Sequence, residues 1–183
     1  MPSDQPWLQG YPLSDAKSGT SVRDELMRWF FDDYLATWVG VGSGAIARGP
    51  EFILDYWGVP LHYCAPDGGE WLLDGASVVG LLARIHSRLR ERGYAYTAVP
   101  DRQVTVYHAA GAAIDVIWSR CRADDSEIER VAVHFEVARG SAGWRVVGIQ
   151  DAPTRADSLN AAWGRRIERA RRVRSGADTN SNT

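Results

Sequence analysis

The stretch AIDVIWSRCRADDSEIERVAVHFEV, residues 113–137, decides the fold. Two runs of alternating apolar and polar residues flank an acidic turn, the pattern of a β-hairpin. With the turn centred on Asp124-Asp125, Ile114 faces Phe135, Val116 faces Val133 and Trp118 faces Val131. On the other face Asp115 meets His134, Ser119 meets Arg130 and Ala113 meets Glu136. A one-residue slip would set apolar side chains against polar ones, so burial selects this register. Directly opposed Cβ atoms lie about 4.5–5.5 Å apart, so Asp115 and His134 are within reach of each other, an arrangement that can hold an imidazole for acid–base work. The face of Ile114, Val116, Trp118, Val131, Val133, Phe135 and Val137 is the one that helices must cover. The pair is therefore expected on the outer face, as a cross-strand ion pair or part of a subunit interface. A dyad facing a pocket is the alternative.

Outward from the hairpin, period-two alternation predicts strands at 94–109, 112–122, 127–139 and 143–151, a meander, with Pro100 at a bulge or edge. The preceding half reads as helical. Ser21 and Asp24 have capping-box spacing, and a first helix is expected from Ser21 to about Val39. Leu26, Met27, Phe30, Phe31, Tyr34, Leu35 and Trp38 fill one broad face, with Asp33 at its edge. GSGAIARGPEFILDYW predicts a short interrupted helix ending near Trp57. VPLHYCA and EWLLDG are short extended pieces. Residues 75–92 form a third helix with a stripe of Val78, Leu81, Leu82, Ile85 and Leu89, stopped by Gly93. His86 falls beside that stripe and is expected on the surface.

The 183 residues suit one domain, and 45% hydrophobic with 24% charged residues is an ordinary globular composition. Net charge is −2, which argues against a chain built around nucleic acid. Lys17 is the one Lys among 21 basic residues. Cys64 and Cys121 have no metal-ligand spacing, so no metal is expected. MPSDQPWLQG lacks the pattern of a signal peptide, and no apolar run is long enough for a membrane span. A cytoplasmic protein is expected. Residues 1–20 read as an irregular arm, 154–175 as a basic C-terminal helix and 176–183 as a disordered tail. Seven Arg (155, 165, 166, 169, 171, 172 and 174) mark the basic segment. It is expected to pack on the domain or on a partner subunit; contact with nucleic acid is the lesser reading.

FFDDYLATW on the first helix, FILDYWGVPLHYCAP entering the first strand, LLDGASVVGLLARI entering the third helix and GWRVVGIQDAP as the last strand carry a resemblance. In this order they resemble the nuclear transport factor two-like (SnoaL-like) superfamily, over residues 21–153. The resemblance implies an α+β fold: three N-terminal helices packed on a strongly bent antiparallel sheet, a cone-like α+β barrel, here with a C-terminal helical tail. It also implies a deep, mostly apolar pocket carrying a few polar groups. That fold hosts isomerases, dehydratases, cyclases, epoxide hydrolases and non-catalytic interaction domains.

What the resemblance implies for sites falls on particular residues. Tyr34 matches a first-helix position, where its phenol would donate to a developing oxyanion. Asp33 is a general base if it tips inward. His62 on the first strand is a general acid–base candidate. Strand parity turns either His62 and Cys64 or Leu61 and Tyr63 inward, and no carboxylate lies between Val59 and Pro66. Arg102 and His108, in line with Val104 and Val106, would reach the pocket mouth. Phe30, Trp38, Trp57, Tyr63, Trp118 and Phe135 would supply aromatic walls suited to flat or polycyclic ligands. The expected function is a cofactor-free small enzyme of isomerase, dehydratase or cyclase type. It would act by acid–base catalysis on an apolar oxygenated small molecule, as a homodimer joined through the outer sheet face. A non-catalytic ligand-binding or protein-interaction domain on the same fold is the alternative.

Overall fold

A computed structural model describes residues 16–163, with side chains from Ser21 onward. The rest of the expected arm, the basic helix beyond Trp163 and the expected disordered tail lie outside the described residues.

The first helix begins at Ala16, five residues before the expected Ser21 start, so Ser21 and Asp24 sit inside it rather than cap it. Ala and Lys at 16–17 are good helix formers and extend it backward. Helical winding continues to Ser43 in three parts: α1 (Ala16–Met27), a π-wound stretch (Arg28–Tyr34) and α2 (Leu35–Ser43). The wider π winding brings Phe30, Phe31 and Tyr34 to the buried side together. Gly44, left-handed at φ 86°, ends the run. The expected second helix is a single 3-10 stretch, Pro50–Asp55, because Gly and Pro leave too few residues to propagate an α-helix. α3 (Gly75–Glu91) is capped by Asp74, whose side chain accepts from the Ser77 amide at 2.8 Å. Its stripe of Val78, Leu81, Leu82 and Leu89 is buried as the periodicity predicts.

Among the described residues seven strands make one sheet: β1 (Trp57–Ala65), β2 (Gly68–Leu72), β3 (Tyr94–Ala98), β4 (Arg102–His108), β5 (Gly111–Arg122), β6 (Glu127–Gly140) and β7 (Gly143–Pro153). The order is β2-β1-β7-β6-β5-β3, with β4 also paired to β5. The strand expected over 94–109 is broken around Pro100 into β3 and β4, since Pro cannot donate to a ladder. The sheet is not purely antiparallel: β1 runs parallel to β7. The β5–β6 register is the one burial predicts, with Ile114 opposite Phe135, Asp115 opposite His134 and Trp118 opposite Val131.

The core lies between the helices and the inner sheet face, where Leu26, Phe30, Ile114, Val116, Val133, Phe135 and Val146 are buried. A smaller cluster sits on the outer face. There Ile117 and Ala132 are covered by Leu159, Ala162 and Trp163 of a helical turn at 159–163. Leu159 is pinned by its amide, which donates to Asp101 Oδ2 at 2.8 Å. Among the described residues no helix is long and apolar enough to cross a membrane.

Candidate functional site

A cavity opens between the helices and the inner sheet face. Tyr34, Leu35 and Trp38 line it from the helical run, Trp57 and Tyr63 from β1, Ile85 from α3 and Thr97 from β3. Trp118, Arg120, Val133, Phe135, Ile149 and Asp151 complete it from β5 to β7. It measures about 40 Å³, a small space beside the roughly 300–1,000 Å³ of pockets that take drug-sized ligands. The aromatic walls meet one another too closely for the flat or polycyclic ligands they suggested. A wider, open groove of about 330 Å³ lies on the far side of Tyr63, between the β1–β2 hairpin and α3, and is lined by Asp67, Glu70, Leu81 and Arg84.

The polar groups in the cavity come from five elements: the helical run, β1, β3, β5 and β7. The Trp57 indole N–H donates to the Tyr34 oxygen at 3.3 Å. The Tyr34 hydroxyl hydrogen is left to donate elsewhere. Burial raises the Tyr34 pKa against the pull of Trp57 and Arg120, so the phenol stays neutral. The Tyr63 hydroxyl donates to Asp151 Oδ2 at 2.8 Å. Burial and the Asp151 charge raise the Tyr63 pKa. Burial likewise raises Asp151, against the Tyr63 hydrogen bond and the charges of Arg120 and Arg88, while Asp67 adds to the rise. Among the described residues no donor meets Asp151 Oδ1. A carboxylate pushed toward neutral pH in a largely apolar cavity is placed to exchange a proton.

Arg120 supplies the cavity's positive charge. Its guanidinium lies over the Trp38 ring at 5.2 Å, and Nη1 donates to Glu129 Oε1 at 2.5 Å. Glu129 also meets Arg92 at 2.7 Å and Arg88 at 3.6 Å. Its own burial works to raise its pKa, but the three guanidinia prevail and lower it. Behind Trp38 lies His86, 2% exposed, edge-on to the indole at 4.6 Å and stacked near Phe52. Burial and the charges of Arg90 and Arg120 bring its pKa down to about 4. The surface position expected for His86 is thus corrected: α2 and the 3-10 stretch cover a second side of α3.

Of the residues singled out in the sequence, Tyr34, Trp38, Trp57, Tyr63, Trp118 and Phe135 line the cavity. Phe30 is fully buried behind the wall, packed on Tyr34, Phe135 and Trp118. Four others lie outside. Apolar Leu61 takes the interior on β1, so Tyr63 faces in and His62 faces out, where its ring packs on Trp71 at 4.9 Å. Asp33 is exposed and accepts from the Tyr56 hydroxyl at 2.9 Å, one residue round the helix from Tyr34. Arg102 pairs opposite Val116 but lies over the Phe31 ring at 4.7 Å instead of entering the cavity. His108 is exposed at the β4–β5 turn. Asp115 and His134 meet at 2.9 Å on the outer face, outside the cavity. Among the described residues no cluster of three or more metal-ligating side chains forms.

Asp151 and Arg120 carry the charge of the site, and neither was among the candidates. Arg120 follows Trp118 with the same parity, so alternation alone places it inside. Asp151 needs a β-bulge to face inward: Glu136 pairs with Gly148 but Val137 with Val146, leaving Val147 as an extra residue.

Residues 24–154 match a family model described as NTF2-like protein (DUF6841). The fold resembles a crystal structure of an NTF2-like protein with a cystatin-like fold from Novosphingobium aromaticivorans. That likeness has 18% identity and a TM-score of 0.54, covering 85% of this chain and 97% of that one. It also resembles the yeast UBP3-associated protein BRE5 (7% identity, TM-score 0.50, covering 66% of this chain and 91% of that one). A third likeness is a putative calcium/calmodulin-dependent protein kinase II association domain from Xanthomonas campestris (9% identity, TM-score 0.50, covering 80% of this chain and 93% of that one). A search of curated proteins gave no match.

Proposed function

The chain belongs to the NTF2-like family described as DUF6841, and from that premise we propose that it is a small acid–base enzyme acting on a compact carbonyl compound. The observation that carries this reading is the half-buried Asp151, held by Tyr63 at 2.8 Å in an otherwise mostly apolar cavity. Asp151 takes a proton from the carbon beside the carbonyl. The C–H electron pair becomes a C=C bond, and the carbonyl oxygen gains the negative charge. Tyr34 donates its free hydroxyl hydrogen to that oxygen, and Arg120 adds positive charge nearby. Return of the proton from Asp151 to another carbon isomerises the substrate; its delivery instead to a β-hydroxyl, which leaves as water as the C–O bond breaks, dehydrates it. Every proton in this scheme moves between substrate and this chain's own side chains.

The test is exchange of α-hydrogen for deuterium in D₂O, followed by proton NMR over a panel of small ketones and oxo acids. Wild type should exchange at least one of them. Asp151→Asn should lose about 10²–10⁴-fold in rate, the usual contribution of a positioned base. No exchange above buffer across the panel, or equal exchange by the variant, would overturn the reading in favour of a non-catalytic binding domain.

A further inference from the structure

We propose that the cavity recognises a carboxylate through the Nε/Nη2 edge of Arg120, so that the substrate class is a short-chain oxo acid. The binding claim stands on Arg120 alone; only the word substrate rests on the reading of Asp151 above.

A guanidinium offers parallel N–H groups along its Nε/Nη2 edge, spaced to match the two oxygens of a carboxylate. In Arg120 the protein uses the opposite corner. Nη1 is bound to Glu129. Nε is buried and meets no acceptor, and among the described residues Nη2 donates no hydrogen bond. The side chain is 12% exposed and the residue lines the cavity. A buried Nε without a partner calls for an acceptor, and Nη2 beside it has no competing bond among the described residues.

The charges around it point to an anion. Glu129 does not neutralise Arg120, because it is shared with Arg92 and Arg88: three guanidinia meet one carboxylate. Facing them from β7 is Asp151, whose burial pushes it toward the neutral form. Farther out in the groove Asp67 and Glu70 stand opposite Arg84. Positive charge therefore prevails at the Arg120 end. The apolar remainder of the ligand falls to Trp38, Trp118 and Phe135. The size of the cavity limits that remainder to a few carbons.

The test compares butanoate and 2-oxobutanoate with butanamide and 2-butanone, titrated into the full chain and read from the tryptophan indole resonances. Each carboxylate should bind about 10–100-fold tighter than its neutral partner, the range for hydrogen bonds to charged groups. Arg120→Lys keeps the charge but not the fork, and should lose most of that preference. Should this variant not fold, the wild-type preference alone decides. Equal affinity for carboxylate and amide, or an undiminished preference in Arg120→Lys, would overturn the proposal. Asp151→Asn should bind carboxylates as well as wild type or better while losing deuterium exchange, so failure of the binding site and failure of the proton acceptor read out separately.

Discussion

Replacing Tyr63 by Phe removes one hydroxyl and leaves the ring in place. That hydroxyl donates to Asp151 Oδ2 at 2.8 Å. A hydrogen bond to a charged group is worth about 1.5–3 kcal/mol, felt mainly when the carboxyl is ionised. One pKa unit corresponds to about 1.4 kcal/mol, so losing the bond should raise Asp151 by roughly 1–2 units. Asp151 already stands above its ordinary value because of burial. With a raised folded-state pKa, the associated stability is fully present below the unfolded value, about 3.9. It is lost as pH rises through the folded value. Tyr63→Phe moves that upper limit further up, so the variant should match wild type closely in acid and fall behind at neutral pH. Carbon-13 NMR of the Asp carboxyls across pH gives the shift directly. Urea unfolding at pH 4 and pH 8 gives the stability difference, expected to grow by about 1.5–3 kcal/mol between the two. An unchanged or lowered Asp151 pKa, or the same deficit at both pH values, would refute the Tyr63–Asp151 pairing as the control on this carboxyl.

Phe30→Ala should destabilise by about 3–5 kcal/mol, since the ring is fully buried against Tyr34, Phe135 and Trp118; a loss under about 1 kcal/mol in urea unfolding would mean that the aromatic wall collapses into the gap. Glu129→Ala leaves Arg88, Arg92 and Arg120 facing one another. It should cost at least about 2 kcal/mol, short of the 3–5 of a fully buried pair, with part of the loss recovered in high salt. Asp115→Asn should bring the raised His134 pKa back toward its ordinary value, because the hydrogen bond to Asp115 is the main cause of the rise. The stability that the pair adds is present below the unfolded His value, about 6.5, and fades as pH rises through the folded one. It should be under about 1 kcal/mol, and deuterium exchange should be untouched because the pair lies outside the cavity.

The parts of the fold legible in the sequence are those where one face is strongly buried. The β5–β6 register follows from Ile114, Val116, Trp118, Val131, Val133 and Phe135, since a one-residue slip would turn one strand's apolar set away from the core. α3 is legible because a 3.6-residue stripe and a stopping Gly93 agree. The first helix was harder. Its apolar residues recur often enough to fit α winding, and nothing in RWFFDDY marks the π turn that orders it. His86 was misplaced for a related reason. A helical wheel shows which side is apolar, not how many sides another element covers, and Trp38 and Phe52 reach His86 from elements far off in sequence.

The site was half legible, and the bulge in β7 explains the other half. Trp144 and Val146 face inward. Unbroken alternation from them would turn Gln150 in and Asp151 out, beside His134 on the outer face. The extra residue Val147 reverses the parity, so Ile149 and Asp151 face the cavity and Gln150 pairs with His134 outside. No apolar pattern announces this, because Val146, Val147 and Ile149 offer buriable side chains in either register. The bulge at Val147 therefore decides whether β7 presents a carboxylate to the cavity or to solvent. Flattening the bulge, with Val147 kept as a paired residue of the ladder, would return Asp151 to the outer face with every other cavity residue unchanged in identity, and the chemistry proposed for the site would go with it.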